Sequence, residues 1–409
     1  MDFNDTPTEA TYRAKAHEFL ASHAPSKKLP QQDLASQLSQ VELLKAAKTW
    51  QSLKADHGFA CITWPKEFGG PGGSAMESVI FAQEEEQFDI PLGIFQVSLG
   101  ICMPTVIKLG REDVKQRFVK PALRGEEIWC QLFSEPAAGS DLAGIRTRAV
   151  KDNDEWVING QKVWTSNAHI SDFGLLLARS DPTVRKHQGM TMFWVDMKTP
   201  GIEVRPIHQI SGKSGFNEVF FTDVRIPDSQ RISEVSGGWK AALSTLATER
   251  LAIGGAKGAD YEELIDLALM TPSGDQSVMQ DAVFRQKLAD WYVNAEGVRL
   301  TRLRAMTALS RGETPGPESS IGKFIMAAQL QDLSDYAMDL QDQYGIINDD
   351  ERSPLAAAFQ KGWLKAPGSR IAGGTDEILL NVIAERVLGL PSEVRVDKDK
   401  PFNDLPLGR

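Results

Sequence analysis

Apolar residues recur at helical spacing along the first third of the chain. In "TEATYRAKAHEFLASHA", Tyr12, Ala16, Phe19 and Leu20 fall on one face. "QLSQVELLKAAKTWQSLKADHG" repeats the pattern and stops at Gly58, a residue suited to a helix C-cap. Further helices are predicted over 75–87, around 91–109 and over 112–123. "WPKEFGGPGGS" is glycine-rich but lacks the Gly-Lys-Ser/Thr ending of a phosphate loop, so it reads as turn material. Near Glu127 the period changes to alternation. "EWVINGQKVWTS" reads as two β-runs around a two-residue turn at Asn159-Gly160. "FGLLLARS", "MTMFWVDM", "IEVRPIHQI" and "EVFFTDVRIP" continue as strands to about Pro227.

From Gly238 the helical period returns over longer stretches. Helices are predicted from Trp239 to about Leu269, from Asp281 to Ser310, from Glu318 to about Tyr344 and from Glu377 to Leu388. This pattern suits an antiparallel four-helix bundle. The order predicts an α+β chain: a helical domain over 1–126, a small β domain over 127–235 and a bundle over 236–409. The polar tail "VRVDKDKPFNDLPLGR" is expected to pack on a partner.

Composition narrows the classes. Of 409 residues, 42% are hydrophobic and 24% charged, enough apolar material for a large core. The formal net charge of −10 argues against nucleic acid, which needs a basic face. Cys61, Cys102 and Cys130 show no zinc or redox spacing, which fits a reduced, cytoplasmic setting. The N-terminus lacks the basic start and apolar run of a signal peptide, and no apolar segment reaches membrane-spanning length. The six histidines have no metal-ligand spacing, so no metal is expected.

Generic catalytic motifs fail. No Gly-x-Ser-x-Gly elbow and no strand-linked Gly-x-Gly-x-x-Gly is present, and Ser320 with Lys323 in "SSIGK" reads as plain helix. "CQLFSEPAAGSDLAGIRTRA" is more informative. A strand enters a Glu-Pro turn, then small residues leave backbone N–H groups open to an anion, with Ser140 as a hydroxyl donor. "WVINGQKVWTSNA" sets Trp164 and Ser166 at the end of a strand, an aromatic plane beside hydroxyl donors that suits a flat heterocycle. In "TLATERLAIGG", Glu249 and Arg250 interrupt a stretch otherwise ready for burial. A buried charge is costly unless paired or used, and adjacent helix residues point about 100° apart, so the two do not pair with each other.

Together these segments resemble the acyl-CoA dehydrogenase family. The resemblance rests on "SEPAAGSD", "VINGQKVWTS", "FTDVRIP", the Glu-Arg helix and "GGTDEILLNVIAERVLG", and it covers nearly the whole chain. It implies an N-terminal helical domain, a central small β-barrel domain and a C-terminal four-helix bundle. It also implies FAD as cofactor, an acyl-CoA substrate oxidised to the trans-2-enoyl-CoA, and an electron-transferring flavoprotein as acceptor. A homodimer or homotetramer is implied, with a heterotetramer as the other arrangement. By resemblance the cofactor-binding set is Leu132, Phe133, Ser134, Gly139, Ser140, Trp164, Thr165, Ser166, Gly345 and Thr375. Phe133 and Ser134 would offer backbone groups to the flavin edge, and Ser140 would bond a pyrophosphate oxygen. Trp164 would pack on the flavin, and Ser166 would face its N5. Gly345 and Thr375 would approach the adenosine half across a subunit boundary.

Two departures from the family pattern shape the remaining expectations. Many members carry the catalytic glutamate just before the Gly-Thr of the late motif, where this chain has Gly373 in "RIAGGTDEI". One branch places the base on an earlier helix, just before an arginine, and Glu249–Arg250 match that position. Glu249 is therefore the expected α-proton base, the β-hydrogen leaving as hydride to flavin N5, with Arg250 and Gly373 on the substrate side. Asp275 stands where an arginine often clamps the FAD pyrophosphate, so FAD binding is expected to lean on oligomerisation. Ala372 and Gly373 leave space for a branched or ring-bearing, sterol-type acyl group. The alternatives are a flavin oxidase or monooxygenase on the same fold, and a non-catalytic subunit of a hetero-oligomer.

Overall fold

The computed structural model describes residues 5–27, 38–91, 93–253, 259–311, 313, 316–394, 397 and 399–405; the side chains of 247–253, 309, 310 and 319 are outside the description. Two compact units result. One holds the described residues up to 252 and those from 394 on; the other holds 253 and 259–393.

The first unit begins with helices that the periodicity predicts well. They are α1 (Pro7–His23), α2 (Gln40–Asp56), α3 (Ala75–Glu85), α4 (Met103–Leu109) and α5 (Glu112–Leu123). Thr6, Ser39 and Ser74 start α1, α2 and α3 with capping boxes closed by Glu9, Glu42 and Glu77. Ala16, Phe19 and Leu20 of α1 are buried against Trp50, Phe59 and Phe81. A π-turn, Ser98–Cys102, leads into α4.

The expected small barrel is a single seven-stranded sheet. Its strands are β1 (Trp129–Leu132), β2 (Arg148–Asp152), β3 (Glu155–Ser166), β4 (Phe173–Arg179), β5 (Met190–Asp196), β6 (Ile202–Ile207) and β7 (Phe216–Pro227). The order is β1-β4-β2-β3-β7-β6, with β5 on β4. One predicted feature is overturned. Asn159-Gly160 is no hairpin turn; β3 runs straight through it. The two-residue turn lies at Asn153-Asp154, where Asp152 pairs with Glu155 and Asn153 takes the left-handed φ of 55° that asparagine tolerates. Gly160 is needed for a close approach instead: a Cβ there would come within 2.6 Å of the Thr147 Cα.

After the sheet, α6 (Gly238–Ile253) completes the first unit. A single helix over 239–269 was expected; the described residues form two, α6 and, in the second unit, α7 (Tyr261–Met270). Asp260 caps α7, its Oδ1 accepting the Glu262 N–H at 2.9 Å. The second unit continues with α8 (Ala282–Ser310), α9 (Ser319–Leu340), α10 (Ala358–Ile371) and α11 (Asp376–Val382). The sequence pattern misses α10, which carries Gly362, Pro367 and Gly368; Gly362 lies so close to α9 that a Cβ would meet the Ser334 hydroxyl at 2.6 Å. The tail does not wait for a partner: Phe402 and Asn403 donate to the carbonyls of Val184 and Pro182 in the same unit. Among the described residues no helix is long and apolar enough to cross a membrane.

Candidate active site

The chain leaves β1 through Phe133, which is buried in one cluster with Ala138, Leu142 and Ile145 of the loop that follows. Glu135 and Ala138 exchange backbone hydrogen bonds at 3.0 and 3.1 Å, closing a tight turn over Pro136-Ala137. The Glu135 carboxylate is buried beneath that turn. It accepts from Lys162 Nζ at 2.8 Å and from the Arg146 and Thr147 amides at 2.6 and 2.9 Å. Burial pushes the Glu135 carboxyl up, but the Lys162 ammonium and these hydrogen bonds hold it below the usual carboxylate range. Lys162 is fully buried and also donates to the Phe133 carbonyl at 2.8 Å. The Val163 amide donates to the Ser134 carbonyl at 2.9 Å. Leu132, Phe133 and Ser134 are thus brought beside the end of β3. Gly139 and Ser140 follow on the exposed rim of the same loop.

The end of β3 is distorted where Trp164 stands. Lys162 pairs with Val219 and Thr165 with Asn217, so β3 uses one residue more than β7. The bulge leaves Trp164 59% exposed with φ +58°. A left-handed φ on a bulky residue costs about 1–3 kcal/mol, and such strain clusters at functional sites. Phe216 braces the indole edge-on, ring centroids 6.1 Å apart. Thr165 is buried, its backbone carbonyl accepting from Asn217 Nδ2 at 2.9 Å while its own hydroxyl has no protein partner. Ser166 ends the strand half-buried.

Glu249 and Arg250 lie on α6, with their side chains outside the described ones. One turn earlier, Thr245 is fully buried and shares a hydrogen bond of 2.9 Å with Thr105 of α4. Position 249 follows it on the same face, since residues four apart superpose along a helix.

In the second unit, Gly373 and Gly374 carry φ of 67° and 101° between α10 and α11. Lys323 Nζ donates to the Gly374 carbonyl at 2.6 Å, and the Thr375 hydroxyl caps α11 by accepting from the Ile378 amide at 3.3 Å. Asp376 accepts from Arg370 Nε at 2.6 Å. Gly345 sits at the far end of α9, its Cα against the Met338 carbonyl, where a Cβ would come within 2.2 Å. From Lys323 to Met338 is about 22 Å of helix. One chain therefore does not bring Gly345 and Thr375 to the same place. Asp275 is exposed, in the turn between Ser273 and Gln276.

Sequence reasoning missed the side chains that hold the site, Glu135 with Lys162 and Arg179 with Lys186. A signal existed for one: Lys162 continues the inward alternation of Trp156 and Ile158 on β3, a position where a lysine needs a buried partner. Arg179, also buried, donates to the Ala143 and Lys186 carbonyls, both at 2.5 Å. Burial pulls it down to about 10, opposed by Glu135, Asp141 and Asp181.

Three family models match the chain: the acyl-CoA dehydrogenase N-terminal domain over 6–126, middle domain over 130–224 and C-terminal domain over 236–388. The chain belongs to the acyl-CoA dehydrogenase family. Its class is that of flavoprotein oxidoreductases acting on acyl-CoA, with FAD as cofactor. It is 39% identical over 366 residues to the acyl-CoA dehydrogenase FadE34 of Mycobacterium tuberculosis, covering 88% of this chain and 48% of that protein. This chain thus spans about half the length of FadE34. To the acyl-CoA dehydrogenase IpdE1 of the same organism it is 33% identical over 388 residues, 94% of this chain and 98% of that one. Among solved structures, a Tcur3481-Tcur3483 steroid acyl-CoA dehydrogenase matches with a TM-score of 0.79 and 26% identity over 96% of this chain and 100% of that one. The ChsE4-ChsE5 complex of Mycobacterium tuberculosis, at 23% identity, shares the fold with a TM-score of 0.77 over 96% of this chain and all of that one.

The residues present fit FAD. Gly139 has no positive φ, and a Cβ on it would meet no protein atom within 4 Å. Neither packing nor backbone requires this glycine, and its open face leaves room for a phosphate. Trp164 offers an exposed ring, and Thr165 an unpartnered buried hydroxyl.

Proposed function

We propose that the chain oxidises the Cα–Cβ bond of an acyl-CoA thioester to the trans-2-enoyl-CoA, with Glu249 as base. The carrying observation is Trp164, exposed and held at φ +58° beside the Ser134–Ser140 loop. Such strain on an aromatic is expected where a flat ring must be met. Leu132, Phe133 and Ser134 would border the ring system, Gly139 and Ser140 the pyrophosphate, and Trp164, Thr165 and Ser166 the reacting face. FAD, when bound, would supply the two-electron acceptor for the β-hydrogen, which would leave as hydride. Glu249 removes the α-proton; by the family resemblance Gly373 would stand on the substrate side. A carboxylate in a dry pocket is a stronger base than one in water. The buried Thr105–Thr245 hydrogen bond one turn before Glu249 supports this role, because it fixes the rotation of α6. Arg250 would lie on the substrate side.

The acyl group is read as branched or ring-bearing. Ala372 and Gly373 supply a methyl group and a hydrogen where many relatives have a bulky residue and a glutamate, and a solved relative is described as a steroid enzyme. Electrons would pass to an electron-transferring flavoprotein. Assembly is supported by exposed apolar side chains on the second unit, among them Val283, Val293, Leu380 and Leu388. A homodimer or homotetramer accounts for them; a heterotetramer is the second reading, favoured by the exposed Asp275 where a clamping arginine would stand. The test is anaerobic titration of the yellow protein with butyryl-, octanoyl-, branched and cyclic acyl-CoAs. Bleaching is expected, with kcat/KM for the branched or cyclic thioester more than tenfold above butyryl-CoA, given about 0.8 kcal/mol per buried CH₂. A best substrate that is short and unbranched contradicts the shape reading; no bleaching with any thioester contradicts the dehydrogenase.

A further inference from the structure

The loop that carries Ser140 is pinned at both ends by buried lysines. Lys162 holds Glu135 at its start. At its end, Lys186 donates to both Asp141 carboxylate oxygens, at 3.0 and 2.9 Å. The Lys186 side chain is 4% exposed, whereas that of Asp141 is 58% exposed. A buried ammonium needs compensation from more than one half-solvated carboxylate. The second partner is Asp397, in the C-terminal tail.

The tail does more than supply that carboxylate. The Phe402 ring lies 3.9 Å from the Arg179 guanidinium carbon. Arg179 in turn donates to the Ala143 carbonyl at 2.5 Å, just beyond Asp141. Phe402 and Asn403 donate from their backbone to Val184 and Pro182 at 2.8 and 3.1 Å, and Asp399 pairs with Arg185 at 3.3 Å. Water is thereby kept from both cations, and a charge pair in a dry setting is stronger than in water.

We propose that Lys186 is a positioning residue for Ser140, and that Asp397 and the tail residues 399–405 act as a strap that keeps Lys186 dry and so sets FAD affinity. The strap follows from geometry within the first unit. Its link to FAD rests on the reading of Ser140 as a pyrophosphate contact. Lys186 and Arg179 also neutralise Asp141 and Asp397, which would otherwise repel a phosphate. The strap therefore acts on the pyrophosphate end of the cofactor rather than on the reacting ring.

Four versions of the full-fold protein test this: a chain ending at Glu393, Asp397→Asn, Lys186→Met and Lys186→Arg. Two quantities are read for each: FAD affinity by flavin fluorescence, and exchange of the Ala138 and Gly144 amides without FAD. Those amides bond the Glu135 and Asp141 carbonyls at 3.0 and 2.8 Å and report loop order directly. In the first three, exchange is expected to quicken and the FAD Kd to rise about tenfold. Lys186→Arg keeps the charge and should restore most of both. Unchanged exchange in both the shortened chain and Asp397→Asn overturns the strap. Faster exchange with an unchanged Kd leaves the strap standing and refutes the assignment of this loop to FAD. Asp397→Asn is nearly isosteric and keeps the result readable where the shortened chain fails to fold.

Discussion

Replacing Lys162 with methionine removes a charge from the base of the candidate site while keeping most of the stem volume. Two hydrogen bonds go, to Glu135 and to the Phe133 carbonyl, both 2.8 Å long. Glu135 is left 7% exposed with only the Arg146 and Thr147 amides as partners. Breaking one side of a buried ion pair costs about 3–5 kcal/mol. An unpaired buried carbonyl adds about 1 kcal/mol, and the two amide bonds that persist offset a similar amount, which leaves about 4 kcal/mol. The double change Lys162→Met with Glu135→Gln leaves no buried charge and should cost less than the single one. Guanidinium unfolding at several pH values, followed by tryptophan fluorescence, reads both. In the wild type the Glu135 carboxyl sits below its unfolded value. Its stabilisation is present above about pH 4.3 and is lost as pH falls through the folded value. In Lys162→Met the ammonium is gone, and burial, the largest influence on this carboxyl, outweighs the Arg146 and Thr147 amide bonds that remain and lifts it above its unfolded value. The penalty is then greatest at neutral pH and shrinks as pH falls. The gap between the two proteins should therefore narrow from pH 7 to pH 4. A single change costing under about 1 kcal/mol, or a double change worse than the single, would show that the Lys162–Glu135 pair does not hold this loop.

Three further outcomes are expected. Trp164→Gly should relieve the left-handed strain, so the apoprotein melts no lower than wild type while FAD affinity falls about tenfold; a lower melting point with unchanged affinity would make Trp164 a packing residue. Gly160→Ala should destabilise by about 1–3 kcal/mol, because the new Cβ meets Thr147; a loss below about 0.5 kcal/mol in the same unfolding assay contradicts the close approach. Dilution through oligomer dissociation should release FAD, read as rising flavin fluorescence, since Gly345 and Thr375 lie at opposite ends of α9 within one chain; full retention by monomers contradicts this.

Local periodicity carried the helices well. The expected 112–123 helix is α5. What it missed is non-local. Asn159-Gly160 has turn chemistry, but a twelve-residue strand paired on both edges overrides it. Helix α10 hides behind Pro367 and two glycines, and packing against α9 decides its state. The loop with Ser140 and the strand end with Trp164 were legible as motifs, while the groups that hold them were not. Glu135 and Lys162 lie on different elements, and only the β1–β3 juxtaposition makes them a pair. Lys186 is further removed still, because its second partner, Asp397, belongs to a tail whose polar composition suggested a different destination. Gly373 was visible as a missing carboxylate, and Glu249 as a charge inside an apolar stretch.

The proposed chemistry is acyl-CoA oxidation with the base on α6. It is tested most directly by anaerobic stopped-flow reduction of wild type and Glu249→Gln, each loaded with FAD, by the best thioester of the panel. The variant is expected to bind FAD and substrate as wild type does but to bleach about 10²–10⁴-fold more slowly. Reduction within a few-fold of wild type would contradict it.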